Sequence, residues 1–317
     1  MNGTRDVQLA IIGGGPAGMA AALVAARASI TTVVINAETP RNAVTAAAHG
    51  LLTRDGEHPL ELLAIAKKQL EKYGSVEYRV GRVATVDPTP PGFLLHDADG
   101  LGWRAERVIL ATGYRDELTR LNLPGIQDVY GRSAYPCPFC DGFEHRGERV
   151  AAFVRGIAAP VIEHYVAMVQ QLCSSDVTAF INPGDLDEDT RRRLEANGAT
   201  LVDTPVSKVV SNKRGQLTAL ALSDGRVIER DVAFIAETFS VPATPFASQL
   251  GIPTTRNPAG WTVLDVGEQG QTPIDNLYVV GDARSQFGGL TAAVAQGAAC
   301  GSAVMRDVAM ANRKSAS

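Results

Sequence analysis

The chain has 317 residues, enough for about two domains at roughly 150 residues each. Hydrophobic residues make up 45%, ample for packed cores, and Lys plus Arg at 30 against Asp plus Glu at 34 leaves a formal charge of -4. That balance offers nothing to nucleic acid. No run of about 18 apolar residues offers a membrane span, and without a recognisable signal peptide the expected location is cytoplasmic.

Val7 to Ile12 is an apolar run that reads as a buried parallel strand. Gly13-Gly14-Gly15-Pro16-Ala17-Gly18 follows, then an alanine-rich helix to about Ala28 and a second strand from Thr31 to Ile35. This is the dinucleotide fingerprint Gly13-x-Gly15-x-x-Gly18 in its strand–turn–helix–strand setting. Gly13 allows the tight turn, Gly15 lets a diphosphate approach the backbone, and Gly18 lets helix and strand pack closely. The helix, opened by Pro16 and Ala17, then turns its N-terminus to the phosphates. The fingerprint expects an acid after the second strand. Asn36 stands there, with Glu38 two further on, and its side-chain oxygen can hydrogen-bond a ribose hydroxyl.

Arg41-Asn42 and His49-Gly50 lie in the next loop. Pro59 to Tyr73 is helical by period, and Val76 to Val86 reads as one strand. Phe93 to His96 and Arg104 to Leu110 read as antiparallel strands around the turn Asp97-Ala98-Asp99-Gly100. The second of these empties into Ala111-Thr112-Gly113, a small-residue turn suited to close approach of a ligand. Leu123-Pro124-Gly125 reads as a linker.

Tyr135-Pro136-Cys137-Pro138-Phe139-Cys140-Asp141-Gly142 comes next. Two cysteines three apart can close a small disulfide ring, and a helix starting there favours the first sulfur's thiolate. Asp141 follows at once, placed to trade protons with an attacking or departing sulfur. The stretch is a thiol–disulfide exchange centre, with Tyr135 and Phe139 as candidate walls of a substrate pocket. The four cysteines are 137, 140, 173 and 300. Zinc would want a second pair or matching histidines, so no metal is expected. Cys173 and Cys300 read as buried small hydrophobes.

Arg149 to Val154 is an apolar strand, Pro160 to Leu172 a helix, Val177 to Ile181 a strand, and Leu186 to Asn197 a polar helix stopped by Gly198. Short strands follow at Leu201-Val202, Val206 to Val210, Leu217 to Leu222 and Val227-Ile228, then a buried one at Asp231 to Ala236. Residues 149–236 thus repeat the layout of residues 7–110. Ser240 to Pro245 reads as a second linker. The strand Leu277 to Val280 ends in Gly281-Asp282, and a long small-residue helix from Thr291 to Ala309 closes the chain; both are expected to return to the first domain. The fold class is α/β, with two Rossmann-like, three-layer ββα domains of dinucleotide-binding type, the first discontinuous.

In that order and spacing, Gly13-x-Gly15-x-x-Gly18, Ala111-Thr112-Gly113, Cys137-x-x-Cys140-Asp141-Gly142 and Gly281-Asp282 resemble the low-molecular-weight thioredoxin reductase family over nearly the whole chain. The resemblance implies an FAD-binding domain of residues 1–116 and 245–317 around a domain, 117–244, that carries the cysteines and normally binds NADPH. It implies that Gly13, Gly15 and Gly18 hold the FAD pyrophosphate, Asn36 the ribose, Asp282 the ribityl chain and the Val83 backbone the adenine. Pro16, Ala17, Arg41, His49 and the turns Ala111-Thr112-Gly113 and Gly281-Asp282 complete the expected flavin surroundings. Cys137 and Cys140 would form the disulfide over the isoalloxazine, and Asp141 matches the acid that protonates the leaving thiolate. Relatives are homodimers, and a homodimer is expected.

The departures matter more. Where the second domain should carry its own glycine fingerprint, the sequence reads Val154-Arg155-Gly156-Ile157-Ala158-Ala159-Pro160. Val154 takes the first glycine position, where a branched side chain blocks both the left-handed turn and the diphosphate. Ile181-Asn182-Pro183-Gly184-Asp185 carries an acid where a basic cluster would meet the 2′-phosphate. NADPH-dependent reduction is therefore not expected. Thr39-Pro40-Arg41-Asn42, His49-Gly50 and Gly131-Arg132-Ser133 before Cys-Pro-aromatic-Cys look like the flavin dithiol oxidases, which close disulfides in metabolites such as holomycin, gliotoxin and romidepsin. That implies a small-molecule dithiol substrate, O2 as acceptor and H2O2 as product. Exposed Cys137 would take the substrate's attack, Cys140 would leave towards the flavin, Asp141 would shuttle the proton, and His49 would act as a base or contact the ring. Many of those relatives have His where this chain has Asp141, and Gly288 to Thr291 departs from their glutamine-bearing segment. Two other readings stand beside this one. One is a reductase of protein disulfides fed by NADPH or a ferredoxin-type donor. The other is a non-enzymatic flavoprotein sensor, against which the intact Cys137-x-x-Cys140-Asp141 argues.

Overall fold

The computed structural model describes residues 3–237, 239–256, 262–285 and 288–315. The outermost residues of the expected domain ranges, 1, 2, 316 and 317, lie outside these. The chain forms two compact units. The first is Met1–Ala43, Gly50–Arg115 and Val241–Ser317; the second is Val44–His49 and Asp116–Ser240. The chain crosses between them at strands Tyr114–Asp116 and Ser240–Pro242, which pair with each other.

In the first unit, strands Val76–Val80, Thr32–Asn36, Arg5–Ile12, Gly102–Leu110 and Leu277–Val279 lie side by side and parallel. Alternation sorts their side chains into two cores. Leu9, Ile11, Val34 and Ile109 face the helices Pro16–Arg27 and Gly289–Ser315. Ala10, Ile12, Val33, Ile35, Val108 and Leu110 face the other way, onto Phe93, Leu95, Val83 and Val86 of an antiparallel layer. This is the three-layer arrangement expected. The two helices meet through small residues: a Cβ on Gly297 would stand 2.0 Å from the Ala17 carbonyl oxygen, so only glycine lets them approach this closely. The stretch read as one strand from Val76 to Val86 is two, Val76–Val80 and Val83–Thr89, because the chain turns at Gly81-Arg82 to begin the antiparallel layer.

The second unit repeats the plan. Strands Thr200–Val202, Val177–Phe180, Val150–Phe153, Val232–Ile235 and Ala134–Tyr135 form a parallel sheet in that order. Helices Ala159–Leu172 and Glu188–Ala196 cover one face, and the meander Val206–Ser211, Leu217–Leu222, Val227–Glu229 covers the other. Leu123-Pro124-Gly125 is no free linker. Leu121, Leu123, Ile126 and Val129 are all buried in this unit's core, and Val209 N–H donates to the Pro124 carbonyl at 2.8 Å. Periodicity saw turn residues there, but the burial of the flanking leucines decides. Among the described residues no helix is long and apolar enough to cross a membrane.

Candidate active site

Edge strand Ala134–Tyr135 runs parallel to Val232–Ile235 and delivers the chain to Cys137. Cys137 is the N-cap of the single-turn helix Pro138–Asp141, with proline at the first helical position, where its missing N–H costs nothing. The turn folds the cysteines together: Cys140 N–H and Asp141 N–H both donate to the Cys137 carbonyl, at 3.2 and 3.3 Å. The sulfurs stand 2.7 Å apart. A hydrogen bond from the Cys140 thiol, joined by the amides of Cys140 and Phe139 and opposed by burial, holds the Cys137 thiol below its ordinary range. Asp141 is pushed up to about 7, chiefly by burial; His49 opposes the rise and Glu144 adds to it. A carboxyl poised there exchanges protons readily at neutral pH.

Two expectations are corrected. Cys137 is the buried sulfur and Cys140 the more open one, because the helix tucks its N-cap inward. Tyr135 is packed in the core, donating its hydroxyl to the Arg132 carbonyl at 2.7 Å, so it walls no pocket. Phe139 does face outward, 74% exposed, as does Phe143 at 67%. His49 lies within the second unit with its Nε2 3.5 Å from Glu144 Oε1. Glu144 was missed in the sequence, although it stands three residues after Asp141, in the turn that follows the helix.

The first unit's glycine turn has the geometry a dinucleotide needs. Gly13 adopts φ +103°, and a Cβ there would stand 2.3 Å from the Ala111 carbonyl oxygen. A Cβ on Gly18 would stand 2.0 Å from the Gly13 carbonyl oxygen. Gly15, the N-cap of Pro16–Arg27, faces open space, and no side chain caps the helix. Its first amides are therefore left to a ligand's phosphates. Ala111, Thr112 and Gly113, the last at φ +66°, follow the neighbouring strand. The turn at Gly281 is held by Gln296, whose side-chain oxygen accepts the Gly281 N–H at 2.9 Å. Arg41 approaches Asp282 at 3.7 Å. Val83 is buried at the head of its strand. Asn36 is already engaged at both ends of its amide. Its oxygen accepts Glu38 N–H at 3.2 Å and its amide donates to the Tyr78 hydroxyl at 2.7 Å. The half-exposed carboxylate of Glu38 beside it accepts the Tyr78 hydroxyl at 3.4 Å and lies 4.0 Å from Lys67 Nζ.

At the second unit's corresponding turn, the chain's own side chains fill the place. Val154 is fully buried, and the left-handed position has moved to Gly156 at φ +68°. The Arg155 guanidinium makes a bidentate pair with Glu237, at 2.6 and 2.9 Å, and donates to the Leu121 carbonyl at 2.8 Å. Asp185 Oδ2 accepts both Gly156 N–H, at 2.9 Å, and Asn182 N–H, at 2.7 Å. A carboxylate thus takes one amide of this strand–helix turn and one at the end of the neighbouring strand, while helix Ala159–Leu172 carries no side-chain cap.

Comparison with known proteins agrees with this architecture. Residues 7–297 match the family model described as pyridine nucleotide-disulphide oxidoreductase. Among curated proteins, the chain is 32% identical to thioredoxin reductase aclD of Aspergillus oryzae, over 69% of this chain and 71% of that protein. It is 29% identical to thioredoxin reductase tcpT of Claviceps purpurea, over 89% and 88%. Among solved structures, HlmI superposes with a TM-score of 0.86 at 27% identity, covering 100% of this chain and 99% of that one. TrxB from Bacillus anthracis superposes with a TM-score of 0.88 at 28%, covering 96% and 99%.

Proposed function

The chain belongs to the pyridine nucleotide-disulphide oxidoreductase family, on its thioredoxin reductase branch, and from that premise we propose that it is a dithiol oxidase, closing a disulfide in a small molecule at the expense of oxygen. Members of this branch are FAD-binding flavoproteins and disulfide oxidoreductases, and the open amides at Gly15 suit the FAD diphosphate. The observation that carries the finer reading is the second glycine turn. Asp185, Val154 and the Arg155–Glu237 pair occupy the elements a nicotinamide dinucleotide would use. With that entry closed, electrons come from the thiol side.

The exchange begins with a disulfide between Cys137 and Cys140. A substrate thiolate attacks the more open sulfur, Cys140, and the S–S bond breaks to release Cys137 as thiolate. Cys137 is the better leaving group because its thiol is held low. The substrate's second thiol gives up its proton to the Asp141 carboxylate and attacks the mixed disulfide, so the cyclic disulfide departs and Cys140 is left reduced. FAD would be held at its diphosphate by the Gly13–Gly18 turn and would supply the electron acceptor between the reduced dithiol and oxygen. The net reaction is dithiol plus O2 to disulfide plus H2O2. The working unit we propose is a homodimer.

A second reading has one observation in its favour. Phe139 and Phe143 stand exposed on either side of Cys140, as they would in a surface that docks a protein disulfide. Oxygen uptake with dithiothreitol in air separates the two. Uptake that is lost in Cys137→Ser and accompanied by stoichiometric peroxide supports the oxidase. Rapid flavin bleaching by NADPH, followed by thioredoxin reduction, would replace it with the reductase.

A further inference from the structure

Residues Val44–His49 make an excursion. The chain before and after them builds the first unit, yet these six residues pack with the second. Their anchor is a close approach of backbones. Gly131 adopts φ +76°, and a Cβ there would stand 2.5 Å from the Val44 carbonyl oxygen. Ala48 is buried, and the Thr45 hydroxyl donates to the Ala47 carbonyl at 3.0 Å. What the excursion delivers is His49, mostly buried, with its Nε2 3.5 Å from Glu144. The other nearby imidazole is already committed. His145 pairs with Glu148 at 2.8 Å, packs on the Tyr135 ring at 5.3 Å and lends its carbonyl to the Cys173 thiol.

We propose that Glu144 is a positioning residue for proton transfer at the cysteines: it holds the His49 imidazole towards Asp141, so that Asp141, His49 and Glu144 carry protons between the buried dithiol and solvent as one relay. The inference rests on the thiol–disulfide exchange read above. The groups coupled electrostatically to Asp141 are Cys137 on its own turn, Glu144 after it, His49 from the excursion and Tyr135 from the strand before. Tyr135, and Tyr165 beside Cys137, stay protonated because burial pushes both phenols up. That leaves one imidazole, 3.5 Å from the partly exposed Glu144 carboxylate, whose charge also acts on the buried Asp141 carboxyl. In each exchange the thiol S–H bond breaks and an O–H bond forms on Asp141. The same proton then leaves through His49 to Glu144 and water, restoring the Asp141 carboxylate.

The test is the alkylation of the reduced dithiol by iodoacetamide, followed across a pH series from acid to alkaline, in the holoprotein and in Glu144→Gln, His49→Asn and the double variant. If Glu144 acts through His49, Glu144→Gln slows alkylation at neutral pH by roughly three- to tenfold and displaces the profile. The same change made on top of His49→Asn then adds only the smaller direct effect of the Glu144 charge on Asp141, and Glu144→Asp recovers part of the loss. An equal effect of Glu144→Gln with and without His49 would show that the carboxylate acts alone, and would overturn the relay. So would an unchanged profile in Glu144→Gln. His49→Gln replaces His49→Asn should the latter fail to yield soluble protein. Alkylation needs neither oxygen nor a metabolite. A protein without oxygen uptake therefore refutes the oxidase and leaves the relay to be judged on its own result.

Discussion

Replacing Asp141 by asparagine isolates the ionisation on which the exchange turns. Burial lifts this carboxyl from 3.8 to about 7. At roughly 1.4 kcal/mol per tenfold change in proton affinity, that corresponds to about 4 kcal/mol as an upper bound. The sign follows from which state holds the proton. Between pH 3.8 and about 7 the folded protein keeps a proton that the unfolded chain has released. Stability is undiminished below that window, declines as pH rises through it, and stays lowered above it. Asparagine carries no charge to bury. The thermal midpoint of Asp141→Asn should match the parent at the acid end and exceed it on the alkaline side. Turnover should move the opposite way. Loss of a general acid–base group costs about 10²–10⁴ in kcat, and the kinetic limb near pH 7 should vanish from kcat/KM for dithiol oxidation. Persistence of that limb in the variant, or midpoints that run parallel at every pH, would show that Asp141 is neither strained by burial nor the proton carrier.

Gly18→Ala and Gly15→Ala should part company. The first drives a methyl to 2.0 Å from the Gly13 carbonyl oxygen and should cost about 3 kcal/mol or more of stability, while the second meets nothing within 4 Å and should lower only the flavin bound per chain, measured by absorbance after purification. Cys137→Ser should still form a mixed disulfide at Cys140 with a small disulfide reagent, seen by mass spectrometry, and Cys140→Ser should do so more slowly, because Cys137 is buried. Asp185→Ala should lose about 1 kcal/mol with its two amide contacts yet remain unbleached by NADPH, because Val154 and the Arg155–Glu237 pair still fill the turn.

Much of the fold was legible because two periodicities carry it. The alternation at Leu9, Ala10, Ile11 and Ile12 and the glycine spacing from Gly13 to Gly18 define strand, turn and helix locally, and the second unit repeats the alternation, without the glycine spacing, at Val150–Phe153. The failures have a common physical cause. Leu123-Pro124-Gly125 carries turn residues, but tertiary burial of its leucine neighbours made it core. Cys137 looked exposed because nothing local says which way an N-cap faces; the direction comes from the edge strand before it. The Asn36–Tyr78 hydrogen bond joins residues 42 apart, and Asp185 reaches Gly156 across 29. Pairings of that span leave no periodic trace. His49 could be singled out as a residue but not placed, because its position depends on Gly131, far along the chain.

The second unit explains how a nucleotide site can be given up without loss of the thiol chemistry beside it. Its sheet needs no ligand to close, since every residue of the central strand Val150–Phe153 is fully buried by protein alone. What an emptied turn does leave behind is amide N–H groups without acceptors, and unsatisfied amides are costly. Asp185 supplies the acceptor to Gly156 and Asn182, and Glu237 neutralises the arginine that replaced a glycine-turn residue. The cysteines follow the edge strand Ala134–Tyr135, which the strand Val232–Ile235 separates from Val150–Phe153 and its turn. The two functions are therefore separable in the architecture. A chain that gives Gly156 and Asn182 an internal acceptor, while keeping a low-lying Cys137 thiol and a buried acid next to it, fits the proposed flow of electrons from thiols rather than from a nicotinamide.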